Sequence, residues 1–379
     1  MIAVPRVVLV GHDASATGAP LTALAFARWA AASGAAHVEV LLDRGGPLVA
    51  GFEAVAPTHV RARAAGEVVA AADALGGLSA GRWARRGALL TARPPTGADV
   101  TVVAASVAAW RSAAAVARGG RRLVLWLHEL DGVADRVVPA SERAILLEAT
   151  SRIVAVEARV AAMATERWGV AEDRVSVVGS FVDPLGDGAA AGQATAHPPH
   201  DVVGVGSLVP RKGADHLVAL TALFRQRGRD LRSAWVGGPL DGPYADLVRT
   251  DRAAAGLEDV LDLVGPVDDV GPWWPASGVV VHLAREDPAP LVVIEAGLRA
   301  IPVVTWDTGG AADLLRTAGL GHLVADAGDL VAVADAVEAL LDDGAGRAEA
   351  GAALRAAATA RTTDRLAPAL LQAFTGGRG

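Results

Sequence analysis

Short, predominantly apolar runs rich in aliphatic and β-branched residues recur along this chain with helix-length intervals between several of them, and that alternation limits the fold more than any other feature. In the first half the runs fall at 7–10, 38–42, 100–104, 123–127, 153–156 and 175–178. In the second half they fall at 202–206, 234–237, 260–264, 279–283, 303–306 and 323–325. A run that is apolar at every position suits a strand buried on both faces, and strands that alternate with helices pair in parallel beneath helical layers. Between the two sets, PLGDGAAAGQATAHPPH has the small-residue, proline-ended character of a linker. The chain of 379 residues is long enough for two cores. The expected organisation is therefore a first domain over 1–183, a linker at 184–200, a second domain over 201–345 and a helical tail over 346–379.

The stretch 279–314 reads as strand, loop, helix, strand, loop, helix. Its first loop, AREDPAP, lies at the carboxyl end of a strand, where open parallel sheets bind ligands. Pro290 suits the first helical turn, and a helix from Leu291 follows. Asp287 and Glu295 frame that helix start, with Glu286 beside the first. A helix amino terminus attracts a phosphate or an electron-rich oxygen, while the carboxylates accept hydrogen bonds from hydroxyls. A nucleotide bearing a polyol meets both demands. The plainer alternative is that Asp287 caps the helix and Glu295 lies on a solvated face.

After the run at 202–206 comes SLVPRKGADHLVAL. The GVGS segment lacks the third glycine of a dinucleotide fingerprint, because Val209 stands there. Arg211, Lys212 and Gly213 instead offer two cations and a flexible backbone to a diphosphate at a helix start. Lys212 is the only lysine in the chain, every other basic side chain apart from histidine being arginine. A lysine retained against that bias is a candidate for chemistry.

EDPAPLVVIEA followed by IPVVTWDTGGAADLL resembles the donor-site signature of retaining glycosyltransferases of family 4, which have the GT-B fold of two doubly wound Rossmann-like domains facing a central cleft. In that family two acids stand eight positions apart, as Asp287 and Glu295 do. The resemblance implies that Asp287 contacts hydroxyls of the donor sugar and Glu295 the nucleotide ribose. It also implies that backbone N–H groups between them touch sugar and phosphate. Pro288 and Pro290 cannot donate, so Ala289 and Leu291 are left for that role. Ala289 stands where a larger, often aromatic residue is common. RKG resembles the family's diphosphate step, with Ser207 where many members carry an arginine and Arg211 placed to supply that charge. The resemblance further implies that the tail crosses back to brace the first domain.

In the first half, GHDASATGAP leads from the first strand into a helix, and Gly18 is the residue expected closest to a ligand. TGAPLTALAFA and GGPLVAGFEAVAP resemble the amino-terminal domain of the same enzymes. His128 and Glu129 end the run at 123–127, again at a carboxyl edge. A histidine there can donate to a hydroxyl or move a proton. The resemblance places His128 beside the donor sugar and gives Glu129 an acceptor hydroxyl. The segment 79–95 interleaves Arg82, Arg85 and Arg86 with Trp83, Leu89 and Leu90, which suits either peripheral contact with anionic lipid or a solvated helix face.

A formal net charge of −7 gives no electrostatic case for nucleic acid. The absence of cysteine removes disulfides, thiol catalysis and cysteine metal sites. No apolar stretch is long enough to span a membrane, and MIAVPRVVLVGHD reads as a first strand, so a cytoplasmic protein is expected, with peripheral contact at the inner membrane face as a further option. Together these readings imply a retaining, metal-independent glycosyltransferase without a cofactor. Its donor would be a nucleotide-diphosphate sugar and its acceptor a glycan, a lipid-linked sugar or a small molecule. His128, Lys212 and Asp287 would carry the reaction. A GT-B binding protein without turnover and a sugar-nucleotide epimerase on the same fold are the alternatives.

Overall fold

The computed structural model describes residues 4–61, 100–185, 200–274 and 277–376. The segment 79–95 and most of the expected linker lie outside the described residues. The chain divides into two compact units, Met1–Ser180 with Thr363–Gly379, and Phe181–Thr362.

In the first unit the apolar runs become β1 (Arg6–Gly11), β2 (His37–Leu42), β4 (Val100–Ala104), β5 (Arg122–Leu127), β6 (Arg152–Ala155) and β7 (Val175–Val177). An additional short strand, β3 (Thr58–Val60), joins at one edge. The order is β3-β2-β1-β4-β5-β6-β7, and every pairing is parallel. Val102, Val103, Val124, Leu125, Ile153 and Val154 are fully buried, as strands covered on both faces require.

The second unit repeats this plan with β8 (His200–Val205), β9 (Ser233–Val236), β10 (Leu261–Gly265), β11 (Ser277–His282), β12 (Val303–Trp306) and β13 (Val324–Ala325). The order is β10-β9-β8-β11-β12-β13, again all parallel. The order reverses between β1 and β4 in one unit and between β8 and β11 in the other. At such a reversal the loops leaving two neighbouring strands diverge and open a crevice at their carboxyl ends. Among the described residues, no helix is long and apolar enough to cross a membrane.

The tail expected as one returning element is two helices with different attachments. Gly344–Thr359 stays in the second unit, where it packs on the Leu291–Leu298 helix. Small residues dictate this. A Cβ on Gly351 would stand 2.0 Å from the Ala300 carbonyl oxygen, and one on Gly297 would stand 2.8 Å from the Ala358 Cβ. Only Thr363–Thr375 belongs with the first unit, where Phe374 packs edge-on against Phe26 and Trp126 at ring separations of 5.4 Å.

Gly213 opens the Ala214–Gln226 helix with φ +77°, and an added Cβ there would lie 2.2 Å from the Leu283 carbonyl oxygen. Gly228 has a similar φ of +76° but open space around its missing side chain. Gly228→Ala should therefore cost about 1–2 kcal/mol, the strain of left-handed backbone alone. Gly213→Ala should cost roughly 2 kcal/mol more, because the helix start is forced off β11's loop. Urea unfolding of the two variants measures the difference, and equal losses would contradict this packing.

Candidate active site

The reversal in the second unit falls between β8 and β11, so the 206–213 and 283–290 loops leave the sheet side by side. They are fastened together by backbone. The Arg285 N–H donates to the Arg211 carbonyl at 2.8 Å, and the Arg211 Nη1 donates to the Glu286 carbonyl at 2.7 Å. Arg285 reaches back to the Pro210 carbonyl and pairs with Asp215, whose other partner is the Tyr244 hydroxyl at 2.6 Å. These partners hold the Asp215 carboxyl at about 2 against the opposing effect of burial. Arg285 thus braces the loops.

On the other side the 283–290 loop is pinned by the turn after β12. The Gly310 N–H donates to the carbonyls of Asp287 at 3.1 Å and Pro288 at 3.0 Å, and the Thr308 hydroxyl donates to the Ala284 carbonyl at 2.7 Å. The contact is so close that a Cβ on Gly309 would stand 1.9 Å from the Asp287 carbonyl oxygen. The first glycine of TWDTGG is explained by this approach, for only glycine fits against the Asp287 backbone at position 309.

So held, Asp287 is 6% exposed and collects the surrounding polar side chains. The Lys212 ammonium hydrogen-bonds its Oδ2, the His282 Nε2 lies 3.1 Å from the same oxygen, and the Arg211 guanidinium stands 3.8 Å from Oδ1. Burial opposes ionisation, but Lys212, His282 and Arg211 together hold the carboxyl far below the usual carboxylate range. Asp287 is therefore an anion at neutral pH, masked by the cations a phosphate would need.

Glu295 lies one to two turns along the Leu291–Leu298 helix, with no protein donor to its carboxylate among the described residues. Burial pushes its carboxyl up, and Arg299 pulls less strongly the other way. An acceptor desolvated and left without a donor is suited to ligand hydroxyls. The backbone N–H groups of Ala289 and Leu291 likewise find no protein acceptor among the described residues. Pro290 is the residue that precedes the first helical position instead of occupying it.

The structure thus brings Arg211, Lys212, Asp287, Ala289, Leu291 and Glu295 to one loop-and-helix region. Gly18, His128 and Glu129 belong to the other unit. Gly18 begins a helix of 16 residues and is exposed, with nothing within 4 Å of an added Cβ. No packing within the unit requires a glycine there. His128 stands at the carboxyl end of β5, its ring 4.6 Å from that of Trp126, with a buried Nε2 that meets no partner among the described residues. Burial, with a smaller push from His12, lowers its pKa to about 3, so it is a neutral imidazole at pH 7. Glu129, expected to meet an acceptor hydroxyl, is hydrogen-bonded within its own unit. Ser106 donates to Oε1 at 2.7 Å, while the Val107 and His128 N–H groups donate to Oε2 at 3.2 and 3.0 Å. Both oxygens are occupied in fixing the 105–110 turn beneath the helix that follows. Sequence reasoning missed His282, because a histidine closing the run VVVH looks like the end of a strand.

The two carboxylates make opposite demands on pH. Glu295, raised in the folded state, makes the native protein less stable as pH climbs from the ordinary carboxylate range, whereas Asp287, depressed, adds stability that is lost only under strong acid. Glu295→Gln should therefore raise the melting temperature at pH 7, by roughly 2–4 °C for each kcal/mol recovered. Near pH 4 the gain should vanish. Calorimetric scans at both pH values check this, and a variant less stable at pH 7 would contradict it.

Residues 199–343 match the family model described as glycosyl transferases group 1. D-inositol 3-phosphate glycosyltransferase of Pseudarthrobacter chlorophenolicus is 30% identical over 223 residues, which cover 56% of this chain and 53% of that protein. GDP-mannose-dependent alpha-(1-6)-phosphatidylinositol monomannoside mannosyltransferase of Mycobacterium tuberculosis is 32% identical over 169 residues, covering 42% of this chain and 43% of its own. The chain thus spans about half the length, or less, of these curated relatives. Anabaena Alr3699/HepE in complex with UDP-glucose superposes with a TM-score of 0.76 over 98% of this chain and 100% of that one, at 18% identity. Sucrose-phosphate synthase of Thermosynechococcus elongatus does so at 0.66 over 98% of each chain, at 17% identity. At such identities the likeness is one of fold, two Rossmann-like units of the GT-B class. The chain therefore shares the GT-B fold, and its segment 199–343, which holds the 206–213 and 283–290 loops, is similar to the glycosyl transferases group 1.

Proposed function

We propose that this chain is a retaining glycosyltransferase that moves a sugar from a nucleotide-diphosphate donor to an acceptor hydroxyl. The observation that carries the reading is the Lys212–Asp287 pair at the strand-order reversal, with Arg211 beside it. Lys212 sits where a diphosphate reaches a helix start, and Asp287 is an ionised acceptor suited to sugar hydroxyls. Glu295 is the unoccupied acceptor for the ribose. On binding, the diphosphate takes Lys212 and Arg211, while Asp287 exchanges its cation for a hydroxyl of the sugar.

The bond from the anomeric carbon to the diphosphate oxygen then breaks, its electron pair staying on that oxygen, which Lys212 and Arg211 neutralise. The acceptor hydroxyl oxygen bonds to the anomeric carbon, and its proton passes to the leaving diphosphate. Charge placed in advance where charge develops is the protein's main catalytic contribution. The same cations support a metal-independent reaction. Retention follows the family signature, in which the acceptor attacks from the face the diphosphate leaves. The relatives' names include both GDP-mannose and UDP-glucose, so the donor is to be found by screening both nucleobases.

Lys212→Ala should lower the rate of transfer by roughly a hundredfold to a thousandfold, the loss expected for one preorganised donor. Lys212→Arg should also lose rate, because the planar guanidinium is wider and its donors point elsewhere. Steady-state kinetics on the best donor of a nucleotide-sugar panel measure both, and a Lys212→Ala variant near full activity would remove the diphosphate assignment. Asp287→Asn should fall chiefly on kcat and Glu295→Gln chiefly on KM, since only the first contact strengthens as the sugar reacts. Equal effects on both constants in both variants would count against these roles. Turnover of donor without any acceptor, giving an epimerised nucleotide-sugar, would point to the epimerase instead.

A further inference from the structure

His282 is a buried histidine at the carboxyl end of β11, 6% exposed, whose Nε2 lies 3.1 Å from the Asp287 Oδ2. Its Nδ1 is buried and meets no partner among the described residues. An N–H at Nδ1 would be buried without an acceptor, whereas an N–H at Nε2 has a carboxylate within reach, so the proton belongs on Nε2. The residue's backbone is fixed as well. It pairs with Thr305 in the β11–β12 ladder, and the Thr305 hydroxyl donates to its carbonyl at 2.9 Å.

Lys212 and His282 therefore converge on one oxygen from supports of different stiffness. Lys212 reaches it on a long, flexible side chain from the 206–213 loop, while His282 approaches from inside a sheet. A diphosphate that attracts Lys212 leaves a buried carboxylate with its nearest cation gone, at a cost of several kcal/mol unless another donor remains. His282 is the donor that stays.

We propose that His282 is a positioning residue, which holds Asp287 oriented toward the sugar while Lys212 is engaged by the diphosphate. The inference rests on the glycosyltransferase reading above. It assigns His282 no contact with substrate. Its effect falls on the reacting complex, where Lys212 has moved, and less on donor capture.

Two variants separate a hydrogen-bonding role from packing. His282→Phe fills similar space without a donor, and His282→Gln returns an N–H near the original Nε2. Kinetics with the donor found for the wild type should show His282→Phe with kcat lowered roughly 10- to 100-fold, as for loss of one hydrogen bond to a buried charge, and KM little changed. His282→Gln should recover most of kcat. A folded His282→Phe with wild-type kcat, or equal losses in both variants, would overturn the proposal. The wild-type protein supplies a second readout that needs no variant to fold. With ¹⁵N-labelled histidine, His282 should show a proton on Nε2 and a bare Nδ1, and the opposite tautomer would overturn the proposal. Lys212→Ala and Asp287→Asn run alongside keep the two readings apart. Their collapse with an intact His282→Phe would sink only the positioning role, and their full activity would sink the glycosyltransferase site itself.

Discussion

One buried carboxylate organises the second unit's functional edge. Asp287 is held by backbone on one side through Gly309 and Gly310, and on the other the 283–290 loop is tied to Arg211 and Pro210. Its side chain then draws in Lys212, Arg211 and His282. A buried anion is tolerated only with donors around it, so the site's cations gather here before any ligand does. Binding a diphosphate is in these terms an exchange of anions around Lys212. Such an exchange keeps Lys212 paired with an anion throughout, while Asp287 trades its cation for neutral hydrogen-bond donors.

That exchange leaves the flexible and rigid parts with different tasks. Lys212 can move because its stem lies along Gly206, where no side chain obstructs it. Asp287 cannot, because the loop backbone is shared with two neighbouring turns. Glu295 is held apart from this network, with no donor to its carboxylate among the described residues, and burial raises its pKa. A residue that would stabilise the protein if neutralised, yet stands ionisable at the mouth of a helix, is better explained by a ligand than by folding.

The sheets were legible because the strand centres are rich in aliphatic residues, and β8, β9, β11 and β12 fall within two residues of the runs read from sequence. β3 was not legible, since three half-buried residues at a sheet edge carry no periodicity. Asp287, Lys212 and Glu295 could be singled out because a family signature fixes their spacing. The surroundings of His282 and Glu129 were not legible, for opposite reasons. His282 acts through a side-chain contact across a loop, with no spacing rule behind it. Glu129 looked free beside His128, but Ser106 and two backbone N–H groups, distant or silent in sequence, take up its oxygens. The tail was divided by Gly297 and Gly351, whose bare faces keep one helix in the second unit.

The sole lysine makes the central claim directly observable. With ¹³C- and ¹⁵N-labelled lysine, the side chain of Lys212 gives one set of resonances in the whole protein. Titrating UDP, GDP and ADP, each against its free nucleoside, should shift those resonances saturably for at least one diphosphate, while the nucleoside leaves them unmoved. Calorimetric binding of a nucleoside diphosphate that left the lysine resonances in place would contradict the account.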